Sequence, residues 1–146
     1  MKWERIHCAA TLEHLALATE FVEECADRFA LAVKKKFGAL IVVEEAFVNI
    51  CSYAYPEGGG EVALACGADD DTFVLEIADK GAPFDVLLLP DPDTTLDLMD
   101  REIGGLGVHF IRKLPDRVSY SRENGQNILR MVFNRRQGSM SAHPKP

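Results

Sequence analysis

Residues 61 to 133 contain two pairs of alternating apolar and polar runs, and each pair is joined by a connection too short to hold a helix. The first pair is Glu61 to Gly67 and Thr72 to Asp79, joined by Ala68-Asp69-Asp70-Asp71. The second is Val118 to Arg122 and Asn127 to Phe133, joined around Asn124-Gly125, a strong signal for a two-residue turn. Short connections allow only antiparallel pairing, and period-two alternation gives each strand one apolar face. A sheet with one apolar face has to be covered by another layer.

The chain upstream supplies that layer. Residues 3 to 9 read as a short strand, and Thr11 as the N-cap of a helix with apolar positions Leu12, Leu15, Val22, Ala26 and Phe29. That helix is expected to end near Lys34-Lys35-Lys36, where positive charge suits the negative end of the helix dipole. A second helix is predicted from Gly38 to Ala54, with a stripe of Val43, Ala46, Phe47, Ile50 and Ala54, stopped by Pro56 and Gly58-Gly59-Gly60. The expected fold is α+β: a two-layer sandwich of a mixed, mainly antiparallel sheet with helices on one face. One domain spans 1 to 136, and 137 to 146 read as a disordered tail. Between Gly81 and Ile103 lie 23 residues with three prolines and no sustained period, the pattern of a lid or binding loop.

Composition narrows the function classes. With 47% hydrophobic and 27% charged residues the chain has the balance of a globular domain. A net charge of -7 disfavours nucleic acid and anionic lipid, whose phosphates would meet a repelling surface. No stretch reads as long enough to cross a bilayer, and the charged N-terminus lacks the apolar core of a signal peptide, so a cytoplasmic location is expected. Cys8, Cys25, Cys51 and Cys66 are far apart and read as small buried residues, not as a disulfide framework or a zinc site. The four histidines lack metal-ligand spacing.

Three separated patches carry the chemistry. Glu45 and Asn49 are four apart on the second predicted helix, so their side chains share a face. Alone, such a pair is an ordinary solvated surface; in a helix otherwise nearly all apolar it suggests a pocket. Asn49 could offer its oxygen to Mg²⁺, a hard cation that takes few protein ligands, and Glu45 could take a proton from an attacking hydroxyl or water. Asp79 follows Phe73, Leu75 and Ile77 on one strand face, so its carboxylate joins an apolar surface and needs a donor. An amino proton of adenine would serve, and Gly81 would let backbone approach the flat base. Gly104-Gly105-Leu106-Gly107 leads into Val108, so free backbone N–H groups meet the positive end of a helix dipole, as anion sites require. Arg101, just upstream, could reach a terminal phosphate. Each patch has a bland counterpart: a turn aspartate, a hinge, an exposed lid arginine.

Taken in order, the patches resemble the GHKL (histidine-kinase-like) ATPase and kinase superfamily, and within it the anti-sigma-factor serine kinases of bacterial partner switching. Val43 to Asn49 is similar to the family's N-box, Asp79-Lys80-Gly81-Ala82-Pro83-Phe84-Asp85 to its first glycine box, and Gly104 to Val108 to its second. The resemblance implies ATP bound under a lid, contacted by Asn49, Asp79, Gly81, Gly104, Gly105, Leu106, Gly107 and Val108. It implies magnesium held through Asn49, and Glu45 as base for transfer to a serine of an anti-anti-sigma protein. A sigma factor is a further expected partner. Three positions depart from the pattern: Tyr53 stands where many relatives have histidine, Lys80 where asparagine is frequent, and Asn127 where a threonine often helps fix the adenine.

Two functions are compatible with these residues: a serine kinase that also sequesters a partner, and a non-catalytic switch in which ATP or ADP only orders the lid. The catalytic half of a sensor histidine kinase is a third, with no room on this chain for a phospho-acceptor helix pair. The edge of the 3 to 9 strand offers a template for homodimerisation.

Overall fold

The structure, a computed structural model, describes residues 1–89 and 105–135. Its order is β1 (Lys2–Ala9), α1 (Leu15–Arg28), α2 (Val33–Asn49), β2 (Glu61–Ala68), β3 (Thr72–Asp79), α3 (Gly105–Lys113), β4 (Arg117–Glu123) and β5 (Gln126–Asn134). The strands form one sheet in the order β1-β2-β3-β5-β4, and all four pairings are antiparallel. Both expected hairpins are present, with Asn124 and Gly125 at positive φ as the two-residue turn requires. The α+β sandwich is therefore as anticipated, and nothing parallel is paired among the described strands.

Alternation decides which side chains meet the helices. Leu64 faces Ile77 across β2 and β3, and Leu75 faces Met131 and Phe73 faces Phe133 across β3 and β5; all are fully buried. Val42, Val43, Ala46 and Phe47 of α2 close over them. The predicted stripe through Ile50 and Ala54 is also buried, although the helix widens into one π turn over Ile50–Ala54. On the opposite face the indole of Trp3 lies so close to Gly67 that a Cβ there would come within 2.7 Å of the ring. That is a steric demand for glycine in mid-strand.

Three expectations about the helices need correction. α1 ends at Arg28, not near Lys36, because Ala30 adopts a left-handed φ of 56°. The N–H of Leu31 then returns to the Ala26 carbonyl and that of Ala30 to Asp27, the bonding pattern of a Schellman cap. The lysine run consequently opens α2 instead of closing α1. Its charges, unfavourable at that end of a dipole, are met by Asp116 at 2.7 Å from Lys35 and Asp27 at 2.8 Å from Lys36. Thr11 caps a single 3-10 turn, Leu12–His14, and Leu12 is exposed, so the apolar face of α1 rests on Ala18, Val22, Cys25 and Ala26.

The bilayer estimate also changes. The continuous helical segment Val33–Ala54 is 22 residues long and apolar enough to span a membrane by length and composition. Half of it is buried inside the fold, as expected for the core helix of an α+β sandwich. The expected tail and most of the expected lid lie outside the described residues.

Candidate functional site

The site grows from the junction of α2 with the ends of β3 and β5. Because α2 lies on the apolar face of the sheet, its last turn carries Asn49 toward the same cavity that Asp79 reaches from the end of β3. The two residues line a cavity of about 20 Å³ together with Ala46, Ile77, Phe84, Tyr120 and Asn127. That volume holds roughly one water and is too small for a purine. Phe84 and Val86 form part of the lining, so a base can enter only if their side chains move.

Three polar side chains here are almost completely withdrawn from solvent: Asn49 and Asp79 at 5% exposure and Asn127 at 4%. Burial of such groups costs free energy unless they are hydrogen-bonded. Asp79 Oδ1 accepts from the Gly81 N–H and from Asn127 Nδ2, both at 2.9 Å. Among the described residues no donor reaches Oδ2. Among the described residues Asn49 Nδ2 is buried without a hydrogen-bond partner. Such an orphan is uncommon in a folded core, and it marks the Asn49 amide as polar capacity that the fold itself does not use.

Glu45, one turn before Asn49, is half-buried and does not line the cavity. Its carboxyl is pushed above the usual carboxylate range, first by desolvation and then by the neighbouring charge of Glu44. A raised carboxyl pKa is the direction a general base requires for work nearer neutrality.

Gly81 meets a steric demand that no sequence signal announced. A Cβ there would come within 2.3 Å of the Ala54 carbonyl oxygen, so glycine is needed to seat the strand end against the π turn of α2. The Ala82 N–H bonds that same carbonyl at 3.0 Å, and Arg122 Nη1 donates to the Gly81 carbonyl at 2.8 Å. Tyr53, in the position where relatives often carry histidine, stacks on Phe84 with ring centroids 4.8 Å apart. Arg112 of α3 donates through Nη2 to the carbonyls of Leu87, at 2.7 Å, and Leu89. The first stretch of the expected lid is thereby held from three elements.

The second glycine patch does open a helix, since α3 begins at Gly105 and passes through Leu106 and Gly107. Val108 lies in the core at 3% exposure and does not line the cavity. Gly104 and Arg101 fall outside the described residues. Asn127, expected only as a weak stand-in for threonine, is instead bonded into the site, and Tyr120 was not anticipated at all. Their part in the site depends on the register Asp79↔Asn127 between β3 and β5, a pairing no local sequence signal announces.

The chain is similar to known proteins in sequence and in fold. Residues 8–133 match the family model of the histidine kinase-like ATPase domain. The serine-protein kinase RsbW of Bacillus cereus strain Q1 is 26% identical over 132 residues, spanning 88% of this chain and 82% of that protein. The RsbW of Bacillus mycoides strain KBAB4 is 25% identical over 142 residues, spanning 93% and 89%. Among solved structures, that of the RsbU and RsbW domains of a Mycobacterium tuberculosis protein superposes with a TM-score of 0.61 at 11% identity. It covers 92% of this chain, which spans about a third of that longer one. Because that family model matches most of its length, the chain belongs to the histidine kinase-like ATPase family.

Proposed function

We propose that this protein is an ATP-dependent serine kinase that phosphorylates and binds an anti-anti-sigma protein, with a sigma factor as its alternative partner, in bacterial partner switching. The observation that carries the nucleotide is Asp79, a carboxylate buried beside the cavity with Oδ2 free of donors among the described residues. Adenine offers an amino proton to such an acceptor, whereas guanine offers a carbonyl oxygen in the corresponding place. Asn49 would hold Mg²⁺ through its side-chain oxygen, an uncharged ligand of the kind a hard cation takes, at the cavity it shares with Asp79; the unpartnered Nδ2 is a donor and does not ligate a metal. When bound, magnesium neutralises charge on the phosphates. The N–H groups opening α3 at Gly105, Leu106 and Gly107 suit those phosphates by dipole and by unspent donors, with Gly104 and Arg101 adjacent in sequence.

In the transfer itself, Glu45 accepts the proton of a substrate serine hydroxyl as its oxygen bonds to the γ-phosphorus. The bond from that phosphorus to the bridging oxygen breaks and ADP leaves. Phosphoryl transfer depends chiefly on positioning and charge neutralisation, so this one base and a fixed nucleotide suffice. The test is incubation with labelled ATP and an anti-anti-sigma protein. Label should pass to serine with wild type and fall by roughly 10²- to 10⁴-fold with Glu45→Ala. Nucleotide binding without any transfer would overturn the kinase reading.

The position of Glu45 outside the cavity lining favours a second reading, a nucleotide-dependent switch without catalysis. In that case ATP orders the segment after β3, which already bonds to Arg112, Arg122 and Asn127, and so selects the partner. Equal partner affinity in ATP, in ADP and without nucleotide would exclude it.

A further inference from the structure

The geometry points to Asn127 as a positioning residue for base selection, acting through Asp79; the inference rests on the reading of Asp79 as the acceptor for the adenine amino group. Every hydrogen-bonding capacity of the Asn127 amide is taken. Its Oδ1 accepts from the Phe84 N–H at 3.1 Å and from the Tyr120 hydroxyl at 2.5 Å, and its Nδ2 donates to Asp79 Oδ1 at 2.9 Å and to the Ala82 carbonyl at 2.8 Å. A primary amide has two donors and two acceptor lone pairs, so nothing remains for a ligand.

The orientation of the amide is also determined. Oxygen and nitrogen of an asparagine look alike by shape, and only the partners tell them apart. A backbone N–H can only donate, so Phe84 requires the oxygen; a carbonyl can only accept, so Ala82 requires the nitrogen. Nδ2 must then face Asp79, and the Tyr120 hydroxyl donates to Oδ1.

The consequence falls on the carboxylate. With Asn127 Nδ2 and the Gly81 N–H both on Oδ1, the group cannot rotate without breaking two bonds, and Oδ2 is left as an acceptor with a fixed direction. An acceptor of fixed direction rejects a base that presents another acceptor, while a rotating carboxylate would partly escape the clash. The position where a threonine was expected thus holds a bracket with no hydrogen bond left to offer the nucleotide. Tyr120 supports the bracket from β4.

Titration with ATP and with inosine triphosphate, which carries an oxo group where ATP carries the amino group, tests this. Wild type should prefer ATP. In Asn127→Ala the affinity for ATP should fall about ten-fold, the scale of one hydrogen bond to a charged group, while that for inosine triphosphate stays level. Tyr120→Phe keeps three of the four bonds and provides a milder variant should the alanine not fold; the ATP preference should drop several-fold at a similar melting temperature. Equal losses for the two nucleotides, or an unchanged ratio in Tyr120→Phe, would overturn the inference. A wild type without preference for ATP is a separate failure, because it removes the role of Asp79 as well.

Discussion

At the scale of the residue, the site consists of buried polar groups with unequal partnering. Among the described residues Asn127 is fully bonded, Asp79 is bonded on one oxygen, and the Asn49 nitrogen has no partner. The ordering separates structural roles from ligand-facing ones. Truncating Asn49 removes a desolvated donor along with some packing, two effects of opposite sign and similar size. Asn49→Ala should leave unfolding free energy within about 1 kcal/mol of wild type while weakening Mg-ATP binding markedly. Chemical denaturation alongside titration checks both; a large loss of stability would mean that the amide is part of the fold. Glu45 allows a pH prediction. Its carboxyl is raised by burial and by Glu44, so the acid side of the rate profile should break above the usual carboxylate range. Glu44→Gln removes the like charge, lowers the Glu45 pKa, and should shift that break to lower pH. A break that does not move would detach Glu45 from the proton transfer.

At the scale of the element, the strands were legible because their alternation and turns are local. Glu61–Ala68 and Thr72–Asp79 lie within a residue of where the pattern put them, and Asn124-Gly125 makes the turn it signals. The boundary between α1 and α2 was not legible, because it is set by an alanine in a left-handed conformation that sequence gives no reason to expect. Asn49 and Asp79 were readable as a polar exception in an apolar helix and in an apolar strand face. The Asp79↔Asn127 register was not, since it joins strands across a long connection and rests on tertiary packing. The same boundary yields a stability test. Ala30→Gly relieves the positive φ, and Gly38→Ala places a methyl inside α2 with its nearest neighbours at 3.7 Å, ordinary contact distance. Each should stabilise by about 1 kcal/mol and raise the melting temperature by a few degrees. A drop in either variant would show that the cap or the helix interior is packed differently.

At the scale of the whole molecule, one sheet face carries the helices and the site, and on the other Trp3 lies over Gly67. Among the described strands β1 forms one border of the sheet, paired with β2 alone. We propose that this edge pairs with a second copy, since an unpaired strand edge is a template for another. Light scattering at working concentration should return twice the chain mass, and a monomer mass removes the proposal. The cavity between α2 and the sheet implies in addition that nucleotide entry displaces the side chains of Phe84 and Val86, whose backbone segment is tied to α3 through Arg112 and to β5 through Asn127. On the proposed reading, base recognition and the segment after β3 are therefore mechanically joined. Whether the protein acts as kinase or as switch, that joint works only if ATP binds where Asp79 stands. Calorimetric titration of Mg-ATP into wild type and Asp79→Asn tests this most directly: wild type should bind and the variant should lose at least ten-fold in affinity. Absence of binding by wild type, or equal binding by both, would contradict the account.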